Sequence, residues 1–213
     1  MQRAFFFFTP PTMARDAYIF LIPLLALLLF CFWAGYLGLA IVLLFLSGFV
    51  AYFFRDPERV IPEDSRAIVS PADGKVIRLD REGEGWILSI FLSLFDVHIN
   101  RAPIGGTLVQ RDHRPGKFRV AYDERASVGN EQLTITIAGE RKLTFTLVAG
   151  MIARRIRVWA SEGSQVQKGD RIGLIRFGSR VDIILPPECK VVVGKGDRVY
   201  GGSSVIAYWK ADS

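Results

Sequence analysis

The sequence predicts a mainly β domain of barrel-sandwich-like architecture, preceded by a transmembrane or membrane-embedded helical hairpin. Three observations carry this: an apolar run without charge over residues 17–54, an abrupt change after it to short alternating segments, and a glycine-spaced echo near the C-terminus. With 213 residues there is room for one compact domain and an appendage. Half of the residues are hydrophobic and the mean hydropathy is +0.27, which argues against disorder and for a lipid-facing part. Cys31 and Cys189 are too few for a disulfide framework or a four-ligand zinc site, and they read as reduced thiols of a cytosolic setting.

Residues 1–16 read as a cytoplasmic N-terminal segment. As a single helix the run 17–54 would be about 57 Å long, against roughly 30 Å for a bilayer core. One straight span is therefore disfavoured. Gly35-Tyr36-Leu37-Gly38 supplies a break at its centre, giving two short spans over 17–34 and 39–54 and a hairpin whose ends return to one side. Arg3 and Arg15 flank one end and Arg55 and Arg59 the other, so the positive-inside bias places both ends, and the following domain, on the cytoplasmic face of the cell membrane. A cleaved signal peptide is disfavoured, because the run is too long and no small-residue site followed by polar sequence ends it. A hairpin confined to one leaflet stays open, each half being short for a full crossing.

Residues 55–213 form the β-rich domain. Alternation and flanking Gly, Pro, Asn and Asp predict strands at 67–70, 75–79, 86–94, 106–111, 133–137, 143–149, 152–158, 171–175, 181–185, 190–193 and 204–208. No long segment there has a helical period. The echo pairs Gly163-x-x-Val166-x-x-Gly169-x-x-Ile172 with Gly196-x-x-Val199-x-x-Gly202-x-x-Val205. Such β-turn-β repeats typify barrel-sandwich domains, including carriers of biotin or lipoate, but the Met-Lys-Met-like tip of those carriers is missing.

Standard catalytic equipment is sparse. His98 and His113 are the two histidines, and no Gly-x-Ser-x-Gly elbow, phosphate-cradling loop or His-Glu-x-x-His helix occurs, so metal catalysis is poorly supported. Two Gly-Ser pairs stand out, Gly178-Ser179 and Gly202-Ser203, because a serine can attack the preceding carbonyl when the turn is strained and a base is near. Glycine admits conformations closed to other residues and leaves that carbonyl unshielded. Local context does not choose between the pairs, and either can equally be a plain turn.

Arg55-Asp56-Pro57-Glu58-Arg59, Ser70-Pro71-Ala72-Asp73-Gly74, Phe95-Asp96-Val97-His98-Ile99-Asn100-Arg101-Ala102-Pro103, Arg114-Pro115-Gly116-Lys117-Phe118, Asn130-Glu131 and Gly173-Leu174-Ile175-Arg176-Phe177-Gly178-Ser179-Arg180-Val181-Asp182 occur in this order. Together they resemble the short-form phosphatidylserine decarboxylases, a self-processing pyruvoyl-enzyme family, from Phe53 to the C-terminus. The resemblance implies cleavage between Gly178 and Ser179, leaving Gly202-Ser203 as bystander structure. Ser179 would become a covalent pyruvoyl group, with no metal and no pyridoxal phosphate. A Schiff base with that group would then allow phosphatidylserine to lose carbon dioxide and become phosphatidylethanolamine. Decarboxylation leaves charge on Cα that no ordinary side chain can absorb, which is why a built-in carbonyl is needed.

By the same resemblance Ser179, His98 and Asp73 are the catalytic set, His98 carrying protons and Asp73 orienting it, with Asp96 a less favoured substitute. Many longer members carry a second histidine where Arg101 stands here, so His98 serves both steps or another group, such as His113, is recruited. The family's Asn-Glu-Arg motif reads Asn130-Glu131-Gln132. Arg101, Arg154 and Arg155 are candidates to bind the headgroup's phosphate and carboxylate. The net charge of +6 suits anionic lipid, and no aromatic-basic motif points to nucleic acid. The expected partners are the lipid substrate and the protein's own large and small chains as a heterodimer, with a higher oligomer left open. Two alternatives stand beside this reading: a membrane-anchored adaptor without catalysis, and a pyruvoyl decarboxylase of a different serine phospholipid.

Overall fold

The computed structural model describes residues 13–116, 130–150, 156–175 and 178–211. The chain divides into two compact units, Met1–Glu58 and Arg59–Ser213.

In the first unit, helix α1 (Tyr18–Trp33) and helix α2 (Leu37–Phe53) are joined at Gly35, whose φ of 81° suits a residue without Cβ. The two helices pack antiparallel through Leu24, Leu28, Cys31, Ala40 and Leu43. Their outer ends meet, because Met13 bridges Arg55 and the Ala14 N–H donates to the Phe54 carbonyl at 2.8 Å. Gly38 lies inside α2 and not in the break, since the chain turns at Gly35 and Tyr36 already accepts the first helical bond. Arg15–Trp33 is long and apolar enough to cross a membrane, and Leu37–Phe53 is a shorter apolar helix. Large apolar side chains point outward from both, Leu29, Phe32, Trp33 and Phe45 among them.

The second unit is β. Its described strands are β1 (Ala67–Val69), β2 (Gly74–Glu82), β3 (Gly85–Leu92), β4 (Ile99–Arg101), β5 (Gly106–Arg114), β6 (Gln132–Ala138) and β7 (Lys142–Ala149). They continue with β8 (Ile156–Val158), β9 (Gln165–Val166), β10 (Arg171–Ile175), β11 (Ser179–Leu185), β12 (Cys189–Val191), β13 (Arg198–Val199) and β14 (Val205–Trp209). An eight-stranded sheet runs β13-β2-β3-β11-β7-β6-β5-β9, beside two three-stranded sheets, β1-β14-β12 and β4-β10-β8. Every pairing is antiparallel. Period-2 alternation aligns Leu88, Ile183, Phe145 and Ile135 across four neighbouring strands, all fully buried on the core face.

The echo is a structural repeat. The Gly163 N–H donates to the Leu108 carbonyl and the Gly196 N–H to that of Val76, each at 2.8 Å. The Gly169 N–H meets the Ala102 carbonyl and the Gly202 N–H that of Ser70, again each at 2.8 Å. β9 pairs β5 from Gly106 as β13 pairs β2 from Gly74, so the two copies close opposite ends of the large sheet.

Strands β4, β9 and β13, of two or three residues each, are absent from the sequence reading. β11 begins at Ser179, two residues ahead of the expected 181, and β2 and β5 run on to Glu82 and Arg114. Residues 152–155 of the expected strand 152–158 lie outside the described residues, and 156–158 are β8.

Candidate active site

β11 is the central feature. Ser179 opens it, opposite Leu92 of β3 and Ala149 of β7, and shares the core-facing side with Val181, Ile183 and Leu185. Both cross-strand neighbours are apolar. The Ser179 side chain is fully buried, and among the described residues its Oγ has no hydrogen-bond partner. A buried hydroxyl left so costs free energy and calls for an explanation. Gly178, directly before it, has φ +70°, and a Cβ there would meet nothing within 4 Å. Glycine at 178 is thus required by backbone conformation and not by crowding.

His98 reaches this junction from the turn before β4. It is fully buried, its Nδ1 lies 2.9 Å from the Asp96 carbonyl oxygen, and the Gly178 N–H donates to its Nε2 at 3.3 Å. A carbonyl can only accept and an amide N–H can only donate, so Nδ1 carries the proton and the Nε2 lone pair faces Gly178. The sequence separation of this contact is 80 residues. Asp96 is braced in turn: Oδ2 accepts from the Ser93 N–H at 2.8 Å and the Ser93 hydroxyl at 2.7 Å, while Oδ1 accepts from Arg198.

Asp73 sits in the turn between β1 and β2. Its Oδ1 accepts the Gly201 N–H at 2.8 Å and its Oδ2 pairs with Arg59 at 2.6 Å. Burial pushes its carboxyl above the ordinary value, against the lowering influence of the Gly201 N–H and the Arg59 charge, while the Asp96 charge adds to the rise. The acceptor found at His98 Nδ1 is thus a main-chain oxygen, while the Asp73 carboxylate holds Arg59 and Gly201. Arg59 and Gly201 lie 14 and 128 residues from Asp73, and nothing local in sequence signals either partner.

Arg101 is buried on β4, its Nη1 donating to the Gly169 carbonyl at 3.0 Å. Its side chain also lies against Gly202, where a Cβ would come within 2.9 Å of Cδ. Arg154 and Arg155 lie outside the described residues. His113 is on β5 and meets Glu131 at 2.9 Å. Asn130 is buried and donates to the Ala149 carbonyl at 2.8 Å, the residue opposite Ser179. Gly202 and Ser203 belong to a turn in which the Ser203 N–H bonds the Tyr200 carbonyl. Cys31 and Cys189 are both free and buried, and burial pushes the Cys189 thiol up to about 12. Among the described residues no cluster of His, Cys, Asp and Glu is arranged to hold a metal ion.

The Gly178–Ser179 junction thus combines a glycine at positive φ, a buried serine hydroxyl without a partner among the described residues, and the His98 Nε2 at the Gly178 N–H. The phosphatidylserine decarboxylase family model matches residues 46–207. The chain belongs to that family. A phosphatidylserine decarboxylase proenzyme from Solibacter usitatus is 49% identical over 169 residues, covering 79% of this chain and 82% of the relative. One from Symbiobacterium thermophilum is 43% identical over 208 residues, covering 92% and 95%. A third, from Pelobacter propionicus, is 45% identical over 178 residues, covering 79% and 80%.

Proposed function

We propose that this protein is a membrane-held decarboxylase of phosphatidylserine, a carboxy-lyase yielding phosphatidylethanolamine, which makes its own pyruvoyl group by cleavage between Gly178 and Ser179. The observation that carries the reading is the His98 Nε2 to Gly178 N–H contact beside the unbonded Ser179 hydroxyl. The shared name of the relatives, decarboxylase proenzyme, favours catalysis over an anchored adaptor.

The residues fit the group. Ser179 is held by ladder pairing to two strands, so a new N-terminus at 179 stays anchored when the bond before it breaks. In the cleavage, Oγ attacks the Gly178 carbonyl carbon, and the bond from that carbon to the Ser179 nitrogen breaks. His98 takes the hydroxyl proton and returns it to the departing nitrogen, leaving an ester. His98 then takes the Ser179 Cα proton as the Cβ–Oγ bond breaks and releases the Gly178 carboxylate, after which water adds at Cα and ammonia leaves. Once formed, a pyruvoyl group supplies a carbonyl that takes the substrate amine and draws off the electrons released with carbon dioxide.

His98 is proposed to hold and return protons in both stages, a role its Nε2 lone pair supports, with the ring kept in one tautomer by the Asp96 carbonyl. Asp73 supports it electrostatically, as a buried carboxylate opposing the positive charge that develops on the imidazole. Arg101, Arg154 and Arg155 are proposed for the phosphate and carboxylate of the headgroup. The hairpin lies in the bilayer of the cell membrane, because helices apolar on all sides need lipid around them, and the arginines at its ends put the catalytic unit on the cytoplasmic face. That unit is read as a barrel-sandwich, on the strength of its two β-turn-β copies.

Purified protein run on a denaturing gel, with intact masses, tests the proposal. Two fragments divided after Gly178, the smaller with a blocked N-terminus, are expected. A wild-type chain that releases carbon dioxide from phosphatidylserine while staying whole refutes it. A panel of serine phospholipids separates phosphatidylserine from a differently built serine lipid.

A further inference from the structure

Between β3 and β4 the chain forms a tip, Leu94-Phe95, with Phe95 66% exposed and Leu94 36% exposed. Beside it opens a cleft of about 410 Å³ lined by Lys75, Phe91, Ser93, Asp96, Lys195 and Arg198. The acidic groups here are already engaged: Asp96 accepts from Ser93 and Arg198, and Asp197 accepts the Gly194 N–H at 2.8 Å. Lys75 and Lys195 are exposed and leave the rim cationic. An exposed aromatic and a leucine next to two lysines have the composition of a bilayer-interface contact, in which apolar side chains enter the headgroup layer and cations meet anionic lipid. The tip leads directly into Asp96 and His98, so a lipid met here has its headgroup near the base while its acyl chains stay in the membrane.

We infer that the Leu94-Phe95 tip and its lysine rim are a second membrane contact, one that seats the catalytic unit on an anionic phospholipid surface. The inference rests on the proposed function for its purpose and on exposure and charge for its location.

The test uses the full chain in nanodiscs of phosphatidylcholine with or without phosphatidylglycerol. A nitroxide is placed at Phe95→Cys or, as control, at Val109→Cys, an exposed position on β5. Cys31 and Cys189 are buried and compete poorly for the label. With anionic lipid the label at 95 should be relaxed more by oxygen than by a water-soluble nickel complex, and the label at 109 the reverse. Lys75→Gln with Lys195→Gln should weaken the contact about five-fold per lysine. Equal nickel access at 95 and 109 in anionic nanodiscs overturns the inference.

A kinetic arm guards against a label that perturbs the turn. Leu94→Ser with Phe95→Ser should raise the apparent KM on bilayers roughly ten-fold, since two buried apolar groups are lost. It should leave turnover of a monomeric short-chain serine phospholipid unchanged. Equal loss on both substrates overturns the inference. If the unsubstituted protein decarboxylates neither substrate, the proposed function fails, and the nitroxide pattern still decides the surface.

Discussion

Replacing Ser179 by Ala should abolish processing without a stability cost, and the two halves of that expectation test different things. The Oγ is fully buried between Leu92 and Ala149 with no partner among the described residues. A buried hydroxyl in that state costs about 1–3 kcal/mol. Removing it leaves a void smaller than a methyl group, which costs at most about 1 kcal/mol. The balance is a gain of roughly 0–3 kcal/mol, and for a protein of this size each kcal/mol moves Tm by about 2–4 °C. Cleavage is read in Ser179→Ala with His98 intact; the Tm comparison alone must be made between uncut chains, so for it both proteins carry His98→Asn to hold them as single polypeptides. Denaturing gels and intact mass report cleavage, and thermal scans in one detergent report Tm. Cleavage at the same bond in the Ser179→Ala protein refutes the mechanism outright. A Tm lowered by about 4 °C or more shows that the hydroxyl is bonded in the folded protein, and it removes the reading of Ser179 as a poised nucleophile.

His98→Asn alone should slow fragment appearance by about 10²–10⁴-fold, the usual worth of a positioned base, and processing at the wild-type rate would exclude His98. Arg59→Ala strips the paired charge from a buried carboxylate and should cost about 3–5 kcal/mol near neutral pH. Because burial raises the Asp73 carboxyl in the folded state, the fold binds that proton more readily than the unfolded chain does. Stability is therefore fullest below the ordinary carboxylate value of about 4 and falls as pH rises through the raised one, more steeply in Arg59→Ala. A cost independent of pH would contradict this. Gly74→Ala should cost about 3 kcal/mol or more, since its Cβ would lie 2.2 Å from the Phe91 carbonyl oxygen. Gly178→Ala meets only the left-handed backbone penalty of about 1–2 kcal/mol, so circular dichroism should show the second variant folded and the first depleted. After processing, borohydride with substrate should label the small fragment, and a label confined to the large fragment would contradict the assignment of residue 179.

What the sequence displays follows from which interactions are local. The hairpin is legible because both helices are apolar and free of charge along their whole length, and the break is legible to within a residue or two because Gly35 takes a positive φ. The long strands are legible because one face is buried, which imposes alternation on Leu88, Ile90 and Leu92 or Val181, Ile183 and Leu185. β4, β9 and β13 hide because their residues are fixed by what they close against and not by any period of their own. The site is illegible locally for a related reason. His98 meets Gly178 across 80 residues, and Asp73 takes its partners from Arg59 and from Gly201. Ordered motifs bring these residues to attention, but neither the Asp96 carbonyl at Nδ1 nor the Arg59 pair at Asp73 can be read from them, because main-chain acceptors and long-range ion pairs leave no spacing signature.

The repeat explains how the candidate site is held. In one copy the turn before β5 carries Gly105, whose open Cβ position faces the Lys168 nitrogen at 3.6 Å. In the other, the matching turn before β2 carries Asp73, whose carboxylate accepts the N–H of Gly201, the counterpart of Lys168. The fold thus supplies two equivalent closures, and one of them has been given charge and placed in the half of the molecule that holds the Gly-Ser junction. The same closures account for a cut that need not release anything. A chain beginning at Ser179 keeps β11 between β3 and β7, β13 on β2, and β12 and β14 with β1. It also keeps the Arg198 pair with Asp96 and the Gly201 bond to Asp73. To leave, it would have to unzip the centre of the large sheet. Under the proposed cleavage, the pairing that remains would hold the two chains together while the chemistry is confined to one bond.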